Sequence, residues 1–188
     1  MGRPEPTDDG AEPTEAGAGG SAAAEAVARE IVLRQLTVRA RSRAELSRTL
    51  KRKGTPEQVS TIVLDRLTEV GLVDDEAFAR DWLAAGDRRR RSRSALLAEL
   101  AEKGVARDVV DAVVAELDSD RDYLVARGYA ESKLAGLARV EPSARYRRLA
   151  GALARRGFPA GVVAQVTKEV LAELSAGDVD DALPSEFD

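Results

Sequence analysis

Leu46-Ser47-Arg48-Thr49-Leu50-Lys51-Arg52-Lys53-Gly54 is a pair of leucines four residues apart, closed by a glycine. The same figure returns fifty positions later as Leu96, Leu100 and Gly104, and fifty-three after that as Leu149, Leu153 and Gly157. Downstream the register continues: Val59, Val63 and Leu67 match Val109, Val113 and Leu117, then Val162, Val166 and Val170. A repeat of this length, found before any element is assigned, points to a stacked array. Spacings of i, i+4 and i+8 put one apolar stripe on each of two helices. Glycine suits the left-handed residue just past a helix end, so Gly54, Gly104 and Gly157 mark the turns between them. Thr55 and Gln58 suggest a capping box with Pro56 at the first helical position, and Pro159 stands at the matching place in the third copy.

A further helix is expected before each pair: Ala22 to Thr37, Asp75 to Ala85, and Ser119 to Gly136, the last with a break around Gly128. The expected fold is therefore all-α, with nine helices in three tandem three-helix repeats. A fifty-residue unit has little core of its own, so the repeats should stack into an elongated, curved array. Expected boundaries are 22–72, 73–118 and 119–175, between a disordered acidic tail at 1–21 and an acidic tail at 176–188. The tails are poor in large apolar residues and cannot bury enough surface to order themselves.

Composition narrows function. The chain has no cysteine and no histidine, which removes disulfides, thiolate nucleophiles, imidazole bases and every Cys or His metal site. No metal and no cofactor is expected. With no cleavable signal and no apolar run near the roughly 20 residues that cross a bilayer, the expected location is the cytoplasm, away from membranes. The net charge of −4 hides an asymmetry. Residues 1–25 hold one base against six acids, and 173–188 hold six acids and no base, so the body between them carries +7. A basic helical body suits a polyanion or an acidic protein surface as partner.

The basic candidates fall in three groups: Arg39, Arg41, Arg43, Arg48, Lys51, Arg52 and Lys53; Arg88, Arg89, Arg90, Arg91 and Arg93; and Arg145, Arg147, Arg148, Arg155 and Arg156. Guanidinium groups grip phosphate bidentately and give binding that weakens steeply with salt. The run from Arg88 to Arg93 is the densest. The alternative is a solvated turn whose charges favour a helix C-terminus. Asp74-Asp75-Glu76 reads as a helix cap and dipole partner in preference to a metal or nuclease site. Trp82, four residues after Phe78, reads as core packing in preference to a base-stacking platform. Tyr123, Tyr129 and Tyr146 carry no pattern.

Specific motifs add to this. Arg41-Ser42-Arg43-Ala44-Glu45-Leu46, Leu50 with Lys53-Gly54, and Val70-Gly71-Leu72-Val73-Asp74-Asp75-Glu76-Ala77-Phe78-Ala79 resemble the signatures of the RecX family. Glu99-Leu100 with Lys103-Gly104-Val105, and Leu153 with Arg156-Gly157-Phe158, continue the match over roughly residues 26–174. Where family members carry a glycine before the second Glu-Leu motif, this chain reads Arg91-Ser92-Arg93-Ser94. The resemblance implies a regulator without catalytic residues. Its partner would be the RecA protein as a filament on single-stranded DNA, with inhibition of ATP hydrolysis and strand exchange and a role in recombination and DNA repair. A monomer is expected, with direct DNA contact an open alternative. The rivals are a RecA-independent DNA-binding helical protein and a scaffold that binds proteins only.

Overall fold

In the computed structural model the backbone of residues 15–180 and the side chains of residues 20–175 are described. Ten helices and no strand make up these residues: α1 (Glu15–Val38), α2 (Arg43–Arg52), α3 (Glu57–Glu69), α4 (Asp75–Arg88), α5 (Arg93–Glu102), α6 (Arg107–Ala115), α7 (Arg121–Glu131), α8 (Leu134–Leu137), α9 (Pro142–Ala154) and α10 (Ala160–Asp180). The all-α expectation holds. The tenth helix arises because the expected Ser119–Gly136 helix breaks at Ser132–Lys133 and not at Gly128, which α7 carries through. There the Ser132 hydroxyl turns back to donate to the Tyr129 carbonyl at 2.7 Å, the kind of local bond that competes with helix continuation.

Both ends of the helical body run past their expected limits. α1 begins at Glu15, not Ala22, and α10 continues to Asp180 beyond the limit at 175. Once nucleated, a helix gains one hydrogen bond per added residue, and the alanine run Ala22–Ala24 carries α1 back through three glycines. The remaining tail residues, 1–14 and 181–188, lie outside the described residues.

The chain divides between Val73 and Asp74 into two compact units. In the first, α1, α2 and α3 close on one core: Ala28 and Val32, Leu46 and Leu50, then Val59, Val63, Leu64 and Leu67, with Val73 beyond. Its α2 starts at a full capping box. Ser42 accepts from the Glu45 backbone N–H at 3.1 Å, and Glu45 accepts from the Ser42 N–H at 3.3 Å. The expected box at Thr55–Gln58 does not form. Pro56 itself is the N-cap of α3, in extended geometry and with no side-chain cap bond, so its fixed φ serves one position earlier than expected. Ala106 takes the same place before α6.

The second unit holds two cores. One gathers Phe78, Ala79 and Leu83 of α4 with Leu96, Leu100, Val105, Val110 and Val113. The other gathers Ala126, Tyr129, Ala130 and Leu137 with Leu149, Leu153, Phe158, Val163, Val166 and Val170. The six repeat leucines are all buried to 1% exposure or less. In the later copies Val113, Val166 and Val170 of the second stripe are buried as read, and only its first position moves on by a residue. Val110 and Val163 are buried, whereas Val109, Leu117 and Val162 are only partly so. In the first copy Ser60 occupies the place of Val110 and Val163, and it too is buried.

Asp74 caps α4 as expected, accepting from the Ala77 N–H at 2.9 Å. Gly54, Gly71, Gly104 and Gly157 all have positive φ. A fifth helix stop has the same form without glycine. After α4, Arg90 sits at φ 53°, its N–H donating to the Asp87 carbonyl at 2.9 Å and that of Arg91 to Gly86 at 3.0 Å. This is the paired 6→1 and 5→2 bonding of a Schellman stop. A side chain at that φ costs roughly 1 kcal/mol that glycine avoids.

α7 and α10 are tied across their solvent edge. The Tyr123 hydroxyl donates to Glu169 at 2.7 Å, and Gln165 donates to the same carboxylate at 3.1 Å. Arg127 bonds Glu173 at 2.7 Å and stands 3.6 Å from Glu169. The Tyr123 hydroxyl above all, with Gln165 and the Arg127 charge, holds the Glu169 carboxyl below its ordinary pKa. A depressed carboxylate adds stability that is present above the unfolded pKa and is lost as pH falls through the lower folded value. Tyr123→Phe is expected to return Glu169 toward its ordinary value, visible in a carbon NMR titration of the glutamate side chains. An unmoved Glu169 curve would show that the hydroxyl does not set it.

Candidate functional site

Every basic candidate lies among the described residues, but the structure separates them into arginines engaged within the fold and arginines facing outward. In the first unit Arg39 pairs with Glu45 at 3.0 Å, and Arg43 pairs with Asp65 at 2.6 Å while donating to Thr68 at 3.2 Å. The Arg48 Nε donates to the Ala44 carbonyl at 3.3 Å, and Arg52 donates to Thr49 at 2.9 Å. Arg41 is half-buried, with its Nε covered and without a hydrogen-bond partner. Lys51 and Lys53 are exposed at the C-terminal end of α2, where cations suit the helix dipole.

In the dense run most of the arginines are engaged within the fold. Arg89 and Arg91 both pair with Glu99, at 3.4 and 2.9 Å, and Arg89 also lies 4.7 Å from the Trp82 ring centre. The Arg90 side chain donates to Ser132. Arg93 donates its backbone N–H to Asp122 at 2.7 Å and its guanidinium to the Asp118 carbonyl at 2.6 Å. Arg88 is exposed, its guanidinium 3.4 Å from its own helix's Ala84 carbonyl.

These bonds form a polar joint between the two cores of the second unit. At its centre is Arg121, 6% exposed, which donates to Asp87, to Asp122 at 2.9 Å and to the Arg91 carbonyl at 3.3 Å. From the other side Arg156 donates to the carbonyls of Arg89 and Arg90 at 2.6 and 3.3 Å, with its guanidinium 4.1 Å from the Tyr129 ring. Its own carbonyl accepts from the Ser92 N–H at 3.3 Å, and the Ser94 hydroxyl donates to the Gly157 carbonyl at 2.8 Å. Gly157 is required here twice over. Its φ is +84°, and a Cβ would stand 2.8 Å from the Ser92 hydroxyl and 3.1 Å from the Ala95 Cβ.

Trp82 is half-buried against the middle core and stacks on Phe78 at 5.9 Å between ring centres. Its indole N–H donates to Glu99 at 2.9 Å, and the Lys103 ammonium lies 4.1 Å from its ring centre. It therefore packs at the core's edge as expected, with its polar end satisfied.

The third group divides again. Arg145 donates to the carbonyls of Val140 and Ala138, at 2.8 and 2.9 Å, and Arg156 belongs to the joint. Arg147, Arg148 and Arg155 of the α9 region are exposed. The place of Asp87, Glu99, Arg121, Asp122 and Ser132 in this joint went unread in the sequence because their partners in the Arg88–Arg93 turn and across the joint lie 8 to 42 residues away. Among the described residues no group of acids is placed to hold a metal ion, and no helix is long and apolar enough to cross a membrane.

The fold and surface together define a class: tandem three-helix units, each with a leucine pair and a glycine stop, bearing outward arginines. Residues 28–67 match the family description "RecX, first three-helix domain", and residues 74–114 match "RecX, second three-helix domain". The chain is 45% identical over 79% of its length to a Regulatory protein RecX of Mycobacterium avium, covering 86% of that protein. It is 42% identical over 89% of its length to a Regulatory protein RecX of Thermobifida fusca, covering 91% of it. The chain belongs to the RecX family of regulatory proteins. Two solved structures share its fold. A regulatory protein RecX matches with a TM-score of 0.71 over 85% of this chain and 81% of that one, at 20% identity. RecX from Lactobacillus salivarius matches at 0.70 over 79% and 97%, at 14% identity.

Proposed function

We propose that the protein is a non-catalytic cytoplasmic regulator that binds the RecA filament on single-stranded DNA and inhibits its ATP hydrolysis and strand exchange, modulating recombination and DNA repair. The observation that carries this reading is the identity of 42 to 45% to proteins named Regulatory protein RecX over most of both chains. The +7 body between acidic ends agrees with a polyanionic filament as target. A monomer with several repeats can touch more than one filament subunit. Differential affinity for one filament state is then enough to shift assembly and ATPase equilibria.

The decisive measurement is ATP hydrolysis by the cognate RecA on single-stranded DNA, with substoichiometric protein added to preformed filaments and DNA in excess. Inhibition well beyond the molar ratio added is expected. Unchanged hydrolysis, together with tight DNA binding in the absence of RecA, would move the function to the RecA-independent DNA-binding alternative.

A further inference from the structure

In the second unit one glycine turn fits a neighbouring helix start as a plug fits a socket. The Arg156 carbonyl accepts from the Ser92 N–H at 3.3 Å, and the Gly157 carbonyl accepts from the Ser94 hydroxyl at 2.8 Å. The fit is close: a Cβ on Gly157 would stand 2.8 Å from the Ser92 hydroxyl and 3.1 Å from the Ala95 Cβ. Small residues at the start of α5, Ser92, Ser94 and Ala95, thus make room for the turn of the following repeat. The first repeat holds the same turn in the same form. Gly54 has a φ of 78° against 84° at Gly157. Lys53 donates its N–H to Leu50 at 3.0 Å as Arg156 does to Leu153, and Gly54 donates to Lys51 at 3.0 Å where Gly157 bonds Ala154 at 2.9 Å. Here, however, Lys53 and Gly54 are exposed, and a Cβ on Gly54 would meet nothing within 4 Å.

The third repeat lacks the matching socket. α2 and α5 each begin three residues before their first leucine, after the N-cap serines Ser42 and Ser92. α9 begins at Pro142, seven residues before Leu149, after Glu141. The fifty-three-residue register therefore places Arg145, Arg147 and Arg148 where α5 has Ser92, Ser94 and Ala95. The extra helical turn also occupies the N–H that the socket needs, since Arg145 donates it to the Glu141 carbonyl at 3.2 Å. Long side chains replace small ones, Arg147 and Arg148 are exposed, and no carboxylate along Pro142–Ala154 offsets them. The open turn of the first repeat is itself basic, with Lys51, Arg52 and Lys53, and like charges brought face to face oppose association.

We propose that the start of α9 is a stop: it keeps the Lys53–Gly54 turn of a second molecule of this chain from docking there as Arg156–Gly157 docks on α5. The terminal unit of a repeat array needs a polar outer face that does not accept a further repeat. Arg145, Arg147 and Arg148 supply that face through both bulk and charge. Were the socket open, the contact would be heterologous, with different surfaces on the two molecules, and would generate chains or rings. This role requires neither nucleic acid nor RecA, and it goes beyond the regulatory reading above without resting on it.

The test exchanges residues 141–148 for the sequence of residues 88–95, which gives α9 the serine-capped start of α5 at equal length. Weight-average mass is followed by sedimentation of the full chain over a broad concentration series. Wild type is expected to keep one mass throughout. The exchanged protein is expected to rise past about twice that mass as concentration increases, as an unclosed heterologous contact requires. Gly54→Asn added to the exchange should restore the single mass. Asparagine accepts a positive φ, but its side chain enters the space that the socket's serine hydroxyl would fill. Circular dichroism melts check that the variants fold. Where the exchange does not, Arg147→Ser with Arg148→Ala serves, since both side chains are exposed, and a smaller rise of the same kind is expected. Folded variants that keep one mass overturn the inference. So does a rise that Gly54→Asn leaves in place, or a wild type that already assembles through Gly54. No RecA or DNA enters the experiment, so none of these outcomes bears on the filament reading.

Discussion

Arg121→Ala is expected to destabilise the second unit by about 2–3 kcal/mol. Removing one member of a buried ion pair costs about 3–5 kcal/mol because the partner charge is left uncompensated. The lower figure applies because the Asp87 side chain is 49% exposed and can return to water. Asp122, at 15%, cannot do so as easily, and it keeps only the Arg93 backbone N–H. The loss should be local as well as global. Ser92 and Arg93 donate their N–H groups across the joint, so hydrogen exchange at these two amides should accelerate more than at α2 in the first unit. Urea melts with exchange read by mass spectrometry measure both. A cost under about 0.5 kcal/mol, the scale of ordinary surface substitutions, would mean that the apolar cores alone hold the two halves together.

The second large effect belongs to a contact between backbone and side chain. Gly86 of α4 lies so close to Leu96 that a Cβ there would stand 2.4 and 2.5 Å from the two Leu96 methyl carbons. Leu96 is fully buried, so its methyls can give way only by displacing the close-packed core around them. Gly86→Ala should therefore cost about 1–3 kcal/mol through overpacking, despite alanine's better helix propensity. Leu96→Ala should cost about 3 kcal/mol through lost transfer energy and a cavity. The double variant should be more stable than the sum of these losses predicts by about 1 kcal/mol, since the new methyl fills part of the space the leucine leaves. Chemical denaturation of all four proteins gives the cycle. Strict additivity would show that the helices move apart instead of meeting at this pair.

The repeat leucines and glycine stops were readable because their spacing is local. Leu46, Leu50 and Gly54 and their counterparts lie within one helix and its end, and the structure buries every one of the six leucines. The second stripe was readable at Val59, Val63, Leu67, Val113, Val166 and Val170, but its first position in the later copies only to within a residue, because a buried helix face is two residues wide and Val109 and Val110 both satisfy the pattern. The engagement of the arginine run was hidden in the sequence for a tertiary reason. Arg91 finds Glu99, Arg93 finds Asp122 and Arg90 finds Ser132 only after folding brings α5 and α7 beside the turn, and nothing in the spacing of charges announces such partners. The three outward arginines of the α9 region looked no different in sequence from their engaged neighbours Arg145 and Arg156. What separates them is the carbonyl bonding that the fold supplies to the latter two.

Trp82 is the only tryptophan in the chain, and its setting makes the middle of the protein optically distinct. Its indole shares Glu99 with Arg89 and Arg91 and lies near the Lys103 ammonium. Charges held at fixed places around an indole shift its emission energy, so the fluorescence spectrum of the unmodified protein encodes the arrangement of the Arg88–Arg93 turn. The first unit contributes no tryptophan to that signal. A titration with RecA or DNA can thus be followed without any attached dye, and a change in colour would localise the event to the turn and the helices that hold it.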